Sequence, residues 1–255
     1  MPLHLGTSGW AYGEWKPSFY PAALPQERFL EHYASVFGAC EVNSTAYRIP
    51  AASAITQWAA ATPPSFRFAI KAHRRLVEAE TMAWDGAAHG FLRRFLESVV
   101  PLGERLGPVL FRYLETTTRN DAGLESVLDA LRGGPAFALE FRHDSWVDPD
   151  VFRRVADAGG TVCISETAGS VCDVLPPGAF AYVRLRADRY SAEAREGWLG
   201  LLGDESRQRP VYAFARHEGL AAGDPFAGVG LAEWLASHHA GDPLQARVRS
   251  RPSGG

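Results

Sequence analysis

Charged side chains recur at the ends of short apolar segments, and most of them are cations. The set comprises Glu41, Asn43, Lys71, Arg112, Glu140, Arg142, Arg184, Arg186 and Arg216. It sets six cations against two carboxylates, in a chain whose formal net charge is −3. Buried charges are costly unless they are paired, so the excess predicts a phosphate, sulfate or carboxylate group on a ligand, bound by arginine forks. The alternative is a set of ion pairs that tie strands together, with some arginines reaching solvent.

Two glutamates of this set are candidates for proton transfer. A carboxylate beside buried apolar walls can have its pKa raised toward neutrality, which suits Glu140 or Glu41 to the role of general base. His143, which directly follows Arg142 in the chain, is the candidate acid partner. In an alternative interpretation, a divalent metal is held by Glu140, Glu166, His143 and His217. None of these pairs has diagnostic spacing such as HExxH, so no cofactor is predicted and a divalent metal stays an alternative.

A glycine-rich segment near the amino terminus offers a second kind of binding group. Gly6-Thr7-Ser8-Gly9-Trp10 permits a tight turn, whose backbone N–H groups can hold an anion. Ser8, Trp10 and Tyr12 are therefore candidate ligand contacts, and so is Trp146 farther along the chain. The alternative is a simple turn at the end of a strand, with the tryptophans covering the mouth of the fold.

These residues are positioned by short apolar segments that alternate about eight times with longer amphipathic ones. The predicted strands are residues 3–7, 39–43, 66–71, 108–114, 136–142, 161–166, 180–186 and 210–216. The predicted helices are residues 25–37, 53–61, 88–106, 121–132, 149–158, 192–202 and 231–239. Asp148-Pro149, Leu24-Pro25 and Ser191 supply helix start signals. The segment around residues 168–177 is too short and too rich in glycine and proline to predict a helix.

Strand–helix alternation without a long linker predicts a parallel sheet, either closed into a barrel or open and doubly wound. In Phe137-Ala138-Leu139-Glu140-Phe141-Arg142 large apolar residues alternate with small or polar ones. The large residues would pack on helices and the others would point into a barrel, whereas a covered open sheet is apolar on both faces. We therefore predict one (β/α)8 TIM-type barrel over residues 1–239, with its site at the carboxyl ends of the strands, and a disordered tail at residues 240–255.

The bulk composition agrees with a single α/β domain. A chain of 255 residues with 46% hydrophobic content can bury one large core. Three cysteines without paired spacing indicate free thiols in a reducing compartment. The sequence shows neither a signal peptide nor the ~20 apolar residues of a membrane span, so we predict a cytoplasmic protein without a membrane partner. The net charge and the absence of a P-loop or a basic run outside the tail argue against nucleic acid as a partner. The sequence predicts no oligomeric state.

Several local motifs, in order along the chain, resemble one known family. They include Gly6-Thr7-Ser8-Gly9-Trp10, Glu41-Val42-Asn43-Ser44-Thr45-Ala46-Tyr47, Phe66-Arg67-Phe68-Ala69-Ile70-Lys71, Glu140-Phe141-Arg142-His143-Asp144-Ser145-Trp146 and Tyr182-Val183-Arg184-Leu185. Together they resemble the YecE-like family, catalogued as domain of unknown function 72, over residues 3–219. The resemblance implies a TIM barrel and no particular reaction. The chain departs from the family pattern at Arg112, Arg186 and Ala215-Arg216, which makes its polar pocket more cationic.

Three hypotheses about function follow from these patterns. The first is an enzyme, a hydrolase or an isomerase, that acts on a small phosphorylated or carboxylated metabolite. In this hypothesis the anion is bound by Arg142, Arg184, Arg186 and Lys71. The second is a non-catalytic protein that binds an anion or another partner without changing it. The third is a metal-dependent phosphodiesterase or nuclease, in which the metal activates water and the aromatic side chains stack on bases.

Overall fold

The computed structural model describes residues 2–78, 82, 84–217 and 222–239. In these residues the strands are β1 (Leu3–Thr7), β2 (Ala39–Val42), β3 (Arg67–Lys71), β4 (Leu106–Arg112), β5 (Phe137–Glu140), β6 (Thr161–Val162), β7 (Ile164–Glu166), β8 (Ala181–Leu185) and β9 (Val211–Ala215). The α-helices are α1 (Phe29–Val36), α2 (Ala52–Ala60), α3 (Gly86–Val99), α4 (Asp121–Leu131), α5 (Pro149–Asp157), α6 (Ala192–Ser206) and α7 (Gly228–His238). Every predicted strand and helix is thus present at its predicted place in the chain.

The strands run parallel and form two sheets. One sheet has the order β2-β3-β4-β5-β6, and the other has the order β1-β9-β8-β7. β1 pairs with β9 along its whole length, from Leu3 opposite Val211 to Thr7 opposite Ala215. The architecture is an α/β fold with parallel sheets, as the alternation of strands and helices predicts.

One predicted strand is divided in two. Residues 161–166 form β6 and β7 on either side of Cys163. β6 pairs with β5, with Val162 opposite Leu139, and β7 pairs with β8, with Ile164 opposite Val183. The Cys163 N–H donates to the Leu139 carbonyl oxygen at 2.9 Å. The division arises because this short segment hydrogen-bonds first to one sheet and then to the other.

The opposite edges of the two sheets meet at β1 and β2. Ser8, directly after β1, forms a parallel bridge with Glu41, which lies within β2. Earlier along the strands, the Tyr33 hydroxyl of α1 accepts a hydrogen bond from the Thr7 N–H at 2.7 Å. The same hydroxyl donates to the Ala39 carbonyl oxygen at 3.1 Å. The Tyr33 side chain therefore makes the hydrogen bonds that a longer backbone ladder between β1 and β2 would otherwise make.

Alternate residues of the strands pack in separate clusters. On β5, Phe137 and Leu139 lie in a cluster with helix side chains such as Leu128 of α4. The residues of the opposite face form a second cluster, drawn from both sheets, that comprises Ala39, Ala69, Leu110, Ala138, Cys163, Phe180, Tyr182 and Phe214. The alternation predicted for β5 is therefore confirmed. On β8 and β9 the second cluster instead takes bulky Tyr182 and Phe214, which fill the space that the alanines leave.

Helix boundaries follow local start and stop signals. The side chains of Asp148 and Ser191 accept backbone N–H groups at the beginning of α5 and α6, as their sequence positions predict. The helix predicted over residues 88–106 is shorter, because α3 ends at its fourteenth residue and the 3-10 turn Val100–Arg105 follows. Pro101 has no N–H to donate, and Gly103 adopts a φ of 57°, which leaves the helical conformation.

Three further expectations concern the tail, membranes and cysteines. Residues 240–255, for which a disordered tail is predicted, lie outside the described residues. In the described part of the chain, no helix combines the length and the apolar composition that crossing a bilayer requires. The three cysteines are free thiols; Cys40 and Cys163 are buried, and Cys172 is partly exposed.

Candidate functional site

A cavity of about 300 Å³ opens at the carboxyl ends of the strands. Its lining comprises Asn43, Lys71, Arg112, Glu140, Arg142, Ser165, Thr167, Arg184, Arg186, Arg216 and His217. Lys71, Arg112 and Glu140 are the last residues of β3, β4 and β5, which explains why residues far apart in sequence converge here. The cavity thus brings together most of the charged set that the sequence predicts.

Arg184 of β8 joins two buried glutamates. Its Nε and Nη2 donate to the two carboxylate oxygens of Glu41 at 3.0 and 2.9 Å, and its Nη1 donates to Glu140 at 2.7 Å. Burial acts to lower the pKa of Arg184, but the charges of Glu41 and Glu140 outweigh it and raise the pKa above its ordinary value. Arg184 therefore carries a fixed positive charge at the centre of the site.

Glu41 lies behind the cavity lining and is completely buried. It accepts hydrogen bonds from the Ser8 hydroxyl at 2.6 Å, the Tyr182 hydroxyl at 2.8 Å and Arg186 at 3.0 Å, besides those from Arg184. Burial acts to raise the pKa of Glu41, but Arg184 and Arg186 hold it well below its ordinary value. The expectation that burial raises this pKa toward neutrality is therefore wrong, because two cations and two hydroxyls compensate the buried charge.

Ser8 connects the glycine-rich segment to this charge cluster. It is buried, and its hydroxyl accepts a hydrogen bond from Arg186 while it donates to Glu41. The Asn43 amide contacts the Ser8 carbonyl oxygen at 3.4 Å. Ser8, predicted as a ligand contact, thus lies one layer below the cavity and positions Arg186 there.

Glu140 is the carboxylate that lines the cavity. Its side chain is buried, accepts from Arg184 at 2.7 Å, and accepts from Arg112 Nε at 3.3 Å. Glu140 lines the same cavity as Lys71 and Arg142. Its position agrees with the predicted role of a general base, and the role itself stays a prediction.

Two arginines at the rim have carboxylate partners outside the predicted set. Arg142 pairs with Glu115, and Arg216 pairs with Asp188. Both acidic side chains are exposed. Among the residues that the structure describes, six cations therefore face four carboxylates, the two at the rim and the two buried glutamates, and six minus four leaves two positive charges in excess. The excess is smaller than the sequence predicts, because the rim pairs come from loops.

Lys71 lies among the arginines of the cavity. The Thr45 hydroxyl donates to its carbonyl oxygen at 2.7 Å and anchors the end of β3. Burial lowers the pKa of the Lys71 ammonium, and the positive charges of Arg184 and Arg112 lower it further, while the nearby carboxylates act in the opposite direction without reversing the effect.

Tyr12 and His217 form a stacked pair at the edge of the site. Their ring centroids are 4.5 Å apart with an interplanar angle of 21°. The Tyr12 hydroxyl donates to the Ser8 carbonyl oxygen at 2.9 Å, which fixes its ring, and His217 lines the cavity. Of the predicted aromatic contacts, Tyr12 is thus the one placed next to a lining residue.

The two predicted tryptophan contacts do not line the cavity; Trp146 packs in the core, and partly buried Trp10 packs against it. Trp146 is buried, stacks on Phe141 with ring centroids 4.4 Å apart, and donates its indole N–H to the Thr117 carbonyl oxygen at 2.8 Å. Trp10 packs edge to face against Trp58 of α2. Both follow strands in the sequence, but the turns after those strands direct them toward the helices and away from the cavity.

His143 is likewise absent from the cavity lining. Its Nδ1 accepts the Ser145 N–H at 3.2 Å and lies 2.9 Å from the Ser145 hydroxyl. The ring therefore caps the 3-10 turn Asp144–Trp146. Its predicted role as the acid partner of Glu140 is not supported by this position, and the histidine that does line the cavity is His217.

The alternative metal ligands are not brought together. Glu166 accepts from the N–H groups of Ala168 and Ser170 at 2.6 and 3.1 Å and from the Tyr190 hydroxyl at 2.6 Å, so it anchors the loop after β7. Across the residues that the structure describes, no three His, Cys, Asp or Glu side chains group as metal ligands. The set of Glu140, Glu166, His143 and His217 is therefore not a single site.

Three residues of the site are not among those that the sequence predicts. Ser165 and Thr167 line the cavity, and Tyr182 supports Glu41 from below. Ser165 follows Cys163 on the same face of its strand, so strict alternation would have indicated it. Tyr182 carries no such signal, because a tyrosine in a strand is ordinarily an apolar core residue.

A larger depression of about 470 Å³ lies elsewhere, between α3 and α4. It is lined mainly by apolar groups such as Leu92 and Leu96, and its charged residues, Arg93 and Glu97, are exposed. It lacks the convergent buried polar groups expected of a site for chemistry. The cationic cavity is therefore the candidate functional site.

Comparison with known proteins agrees with the motifs of the chain. A family model described as "Protein of unknown function DUF72" matches residues 4–247. The UPF0759 protein YunF of Bacillus subtilis (strain 168) is 25% identical over 230 residues, which cover 83% of this chain and 78% of that protein.

Solved structures of two DUF72 family proteins share the fold. The protein from Thermotoga maritima superposes with a TM-score of 0.69 at 21% identity, covering 98% of this chain and 100% of that one. The protein from Enterococcus faecalis gives a TM-score of 0.69 at 17% identity, covering 97% and 95%. The family model spans most of the sequence, and the chain therefore belongs to the DUF72 family, whose function is unknown.

Proposed function

We propose that the two sheets close into one (β/α)8 barrel of TIM type and that the cavity at its carboxyl end is the active site. At the first edge, the Gly9 N–H donates to the Glu41 carbonyl oxygen at 2.8 Å. A Cβ at Gly6 would lie 1.9 Å from the Ala39 carbonyl oxygen, so the strands approach at a distance that glycine alone tolerates. At the second edge, β6 and β7 contact one sheet each, and counted as one strand they complete the eight of a barrel.

The ligand of this cavity is a small phosphorylated or carboxylated metabolite. The observation that carries this proposal is charge: six cations line the cavity, and they outnumber by two the carboxylates that contact them in the described part of the chain. An anionic ligand relieves this excess, and arginines offer it paired hydrogen bonds. A volume of about 300 Å³ lies at the low end of small-molecule sites, roughly 300–1,000 Å³, which favours a small metabolite.

Five of the six cations fall into two groups with different tasks. Arg184 and Arg186 are tied to Glu41, so they set the positive potential of the cavity and are not free to follow a ligand. Arg112 contacts Glu140 at the longer distance of 3.3 Å, and Arg142 pairs with exposed Glu115. These two arginines and Lys71 line the same cavity and hold the anion.

Catalysis in this proposal uses Glu140 as the general base. It is the carboxylate that lines the cavity, beside the cations that hold the anion. His217 takes the acid role that the sequence assigns to His143, because it lines the cavity and its ring is held by Tyr12. A base and an acid that line the same cavity suit isomerisation or hydrolysis.

The first test is thermal unfolding with phosphate esters, sugar phosphates, nucleotides and dicarboxylates. A ligand present at ~100 times its Kd should stabilise the protein by about 2.7 kcal/mol. For a domain of this size that raises the Tm by roughly 5–11 °C, at ~2–4 °C per kcal/mol. We expect such a shift with at least one anion, and we expect it to weaken with added salt because the contact is ionic.

Arg142→Gln tests the role of the cavity, and Arg153→Gln is its matched control. Both remove one positive charge, but Arg142 lines the cavity whereas Arg153 is exposed on α5 and pairs with Asp150. The ligand shift should disappear or shrink in Arg142→Gln and persist in Arg153→Gln. Equal loss in both variants would mean that the anion responds to net charge, and no shift with any anion would remove the proposal.

Glu140→Gln separates catalysis from binding. Once an anion is identified, the Glu140→Gln protein should bind this anion but not convert it, because the amide of glutamine cannot accept a proton. Retained turnover would remove Glu140 from the mechanism. A wild-type protein that binds the anion but leaves it unchanged after long incubation would instead support the non-catalytic alternative.

A further inference from the structure

Lys71 differs in chemistry from the arginines that surround it. Among the 26 basic residues of the sequence, Lys16 and Lys71 are the only lysines, and the others are arginines. A guanidinium stays protonated in proteins, whereas a lysine amine becomes a nucleophile once it is neutral. An arginine at position 71 would supply the same positive charge. The lysine therefore adds a capacity that binding an anion does not require.

The surroundings of Lys71 lower the pKa of its ammonium, although Glu41 and Glu140 act in the opposite direction. Its ammonium has no ion-pair partner among the described residues, and Arg184 and Arg112 act on it as repelling charges. Burial acts in the same direction, and both effects lower the pKa of this amine. Lys16 offers a contrast, because it lies outside the cavity lining with its ammonium 5.3 Å from the ring of Phe29.

We propose that Lys71 forms an imine with a carbonyl group of the bound anion, so that the ligand is an anionic aldehyde or ketone. Examples of this class are a 2-oxo acid and a sugar phosphate in its open carbonyl form. This inference rests on the proposed anion-binding function of the cavity. Arg112 and Arg142 hold the acid group, and the carbonyl carbon lies toward Lys71 on the same wall.

Imine formation balances without any further reagent. The Lys71 ammonium gives one proton to the Glu140 carboxylate, and the amine lone pair forms the C–N bond while the C=O π pair moves to oxygen. Glu140 returns its proton to that oxygen, and a second proton from nitrogen joins it. The oxygen leaves as water, and the C=N bond forms with the positive charge on nitrogen. Ammonium plus carbonyl thus gives iminium plus water, with total charge unchanged.

The iminium determines which reactions follow. Its positive nitrogen withdraws electrons through the C=N carbon. The protons on the next carbon, the α carbon, therefore become more acidic. Glu140, a carboxylate on the same cavity wall, is placed to remove such a proton. Isomerisation, or cleavage of the bond between the α and β carbons of the carbonyl compound, is the reaction class that this chemistry serves.

The test is reductive trapping on the full chain, with pyruvate and dihydroxyacetone phosphate as probes. Cyanoborohydride converts any iminium to a stable secondary amine, and peptide mapping by mass spectrometry locates it. Because the chain has only two lysines, label at Lys71, at Lys16 and at the amino terminus is resolved without ambiguity. The variants are Lys71→Arg, which keeps the charge but cannot form the imine, and Lys16→Arg as the matched control.

We expect label at Lys71 with at least one probe, its loss in Lys71→Arg, and no change in Lys16→Arg. Lactate or glycerol 3-phosphate, which lack the carbonyl, should compete with the label. Equal labelling of Lys16 and Lys71 overturns the inference, because it indicates general amine chemistry. If lactate or glycerol 3-phosphate raises the Tm but Lys71 stays unlabelled, the imine is refuted and anion binding stands. If neither occurs, both proposals fall. Mapping on the wild-type chain decides these outcomes even if a variant fails to fold.

Discussion

Replacing Arg184 by methionine tests how the charge cluster is held together. The Arg184 side chain is buried and donates to both Glu41 and Glu140. Methionine fills a similar volume but leaves Glu41 with one cation, Arg186, and Glu140 with Arg112. The variant therefore removes the shared partner of two buried carboxylates without opening a large cavity.

Removing one partner of a buried ion pair costs about 3–5 kcal/mol, because the two buried carboxylates lose charge compensation that Arg186 and Arg112 alone do not replace. At ~2–4 °C per kcal/mol the Tm falls by roughly 6–20 °C. A domain stable by ~5–15 kcal/mol survives this loss in most of that range, so the variant remains measurable.

Urea unfolding followed by the fluorescence of the seven tryptophans gives the free energy of unfolding. The double variant Arg184→Met with Glu140→Gln also removes the charge of one of the two buried carboxylates that lose Arg184. Because the two residues are in direct contact, its cost should be below the sum of the single costs by about 0.5–3 kcal/mol. The penalty of Arg184→Met should also shrink at low pH, where Glu41 without Arg184 is more easily protonated.

Two results would refute this account. A loss below ~1 kcal/mol in Arg184→Met would mean that the pairs behave like solvated surface ion pairs. Strict additivity in the double variant would mean that Arg184 and Glu140 do not share a buried interaction, despite the 2.7 Å contact.

Three further predictions concern residues outside the cavity. Burial lowers the pKa of His4 to about 4, with Arg67 adding to the effect, while the unfolded chain titrates near ~6.5. The free energy of unfolding should therefore lose nothing to His4 above pH ~6.5 and fall by about 3 kcal/mol as the pH drops to 4. In urea unfolding, His4→Phe should abolish this part of the pH dependence. Gly6→Ala should cost at least about 1–3 kcal/mol, because its Cβ overlaps a carbonyl oxygen of β2, whereas Gly13→Ala, with open space around it, should be nearly neutral in the same assay. Tyr190→Phe should cost about 1–3 kcal/mol by removing the hydroxyl that donates to buried Glu166, and an unchanged Tm would show that this loop does not depend on that bond.

The positions of the strands and one face of each strand can be predicted from the sequence. β1 begins and ends where the apolar pattern predicts, at Leu3 and Thr7. Side chains on a strand alternate with a period of two, so local sequence is enough to assign Ala138 and Glu140 to the same face. The same rule placed Lys71, Arg112 and Arg186 together in one cavity.

The residues that follow the strands were harder to place. His143 and Trp146 stand next to predicted site residues in the chain, but the 3-10 turn after β5 directs one to cap its own backbone and the other into the core. Turn conformation depends on contacts beyond the turn itself, such as the bond from Trp146 to the Thr117 carbonyl oxygen. Sequence adjacency is therefore a poor guide to position once the strand has ended.

The order of the elements and the cationic composition of one strand face can be predicted from the sequence, because both depend on short periodic patterns. The pairing of charges was decided by tertiary structure. Glu41 and Arg184 lie 143 positions apart, and their contact lowers the pKa of a carboxylate for which the sequence predicted the opposite shift. A pKa depends on the distance to each neighbouring charge, and such distances exist only once the strands have been brought side by side.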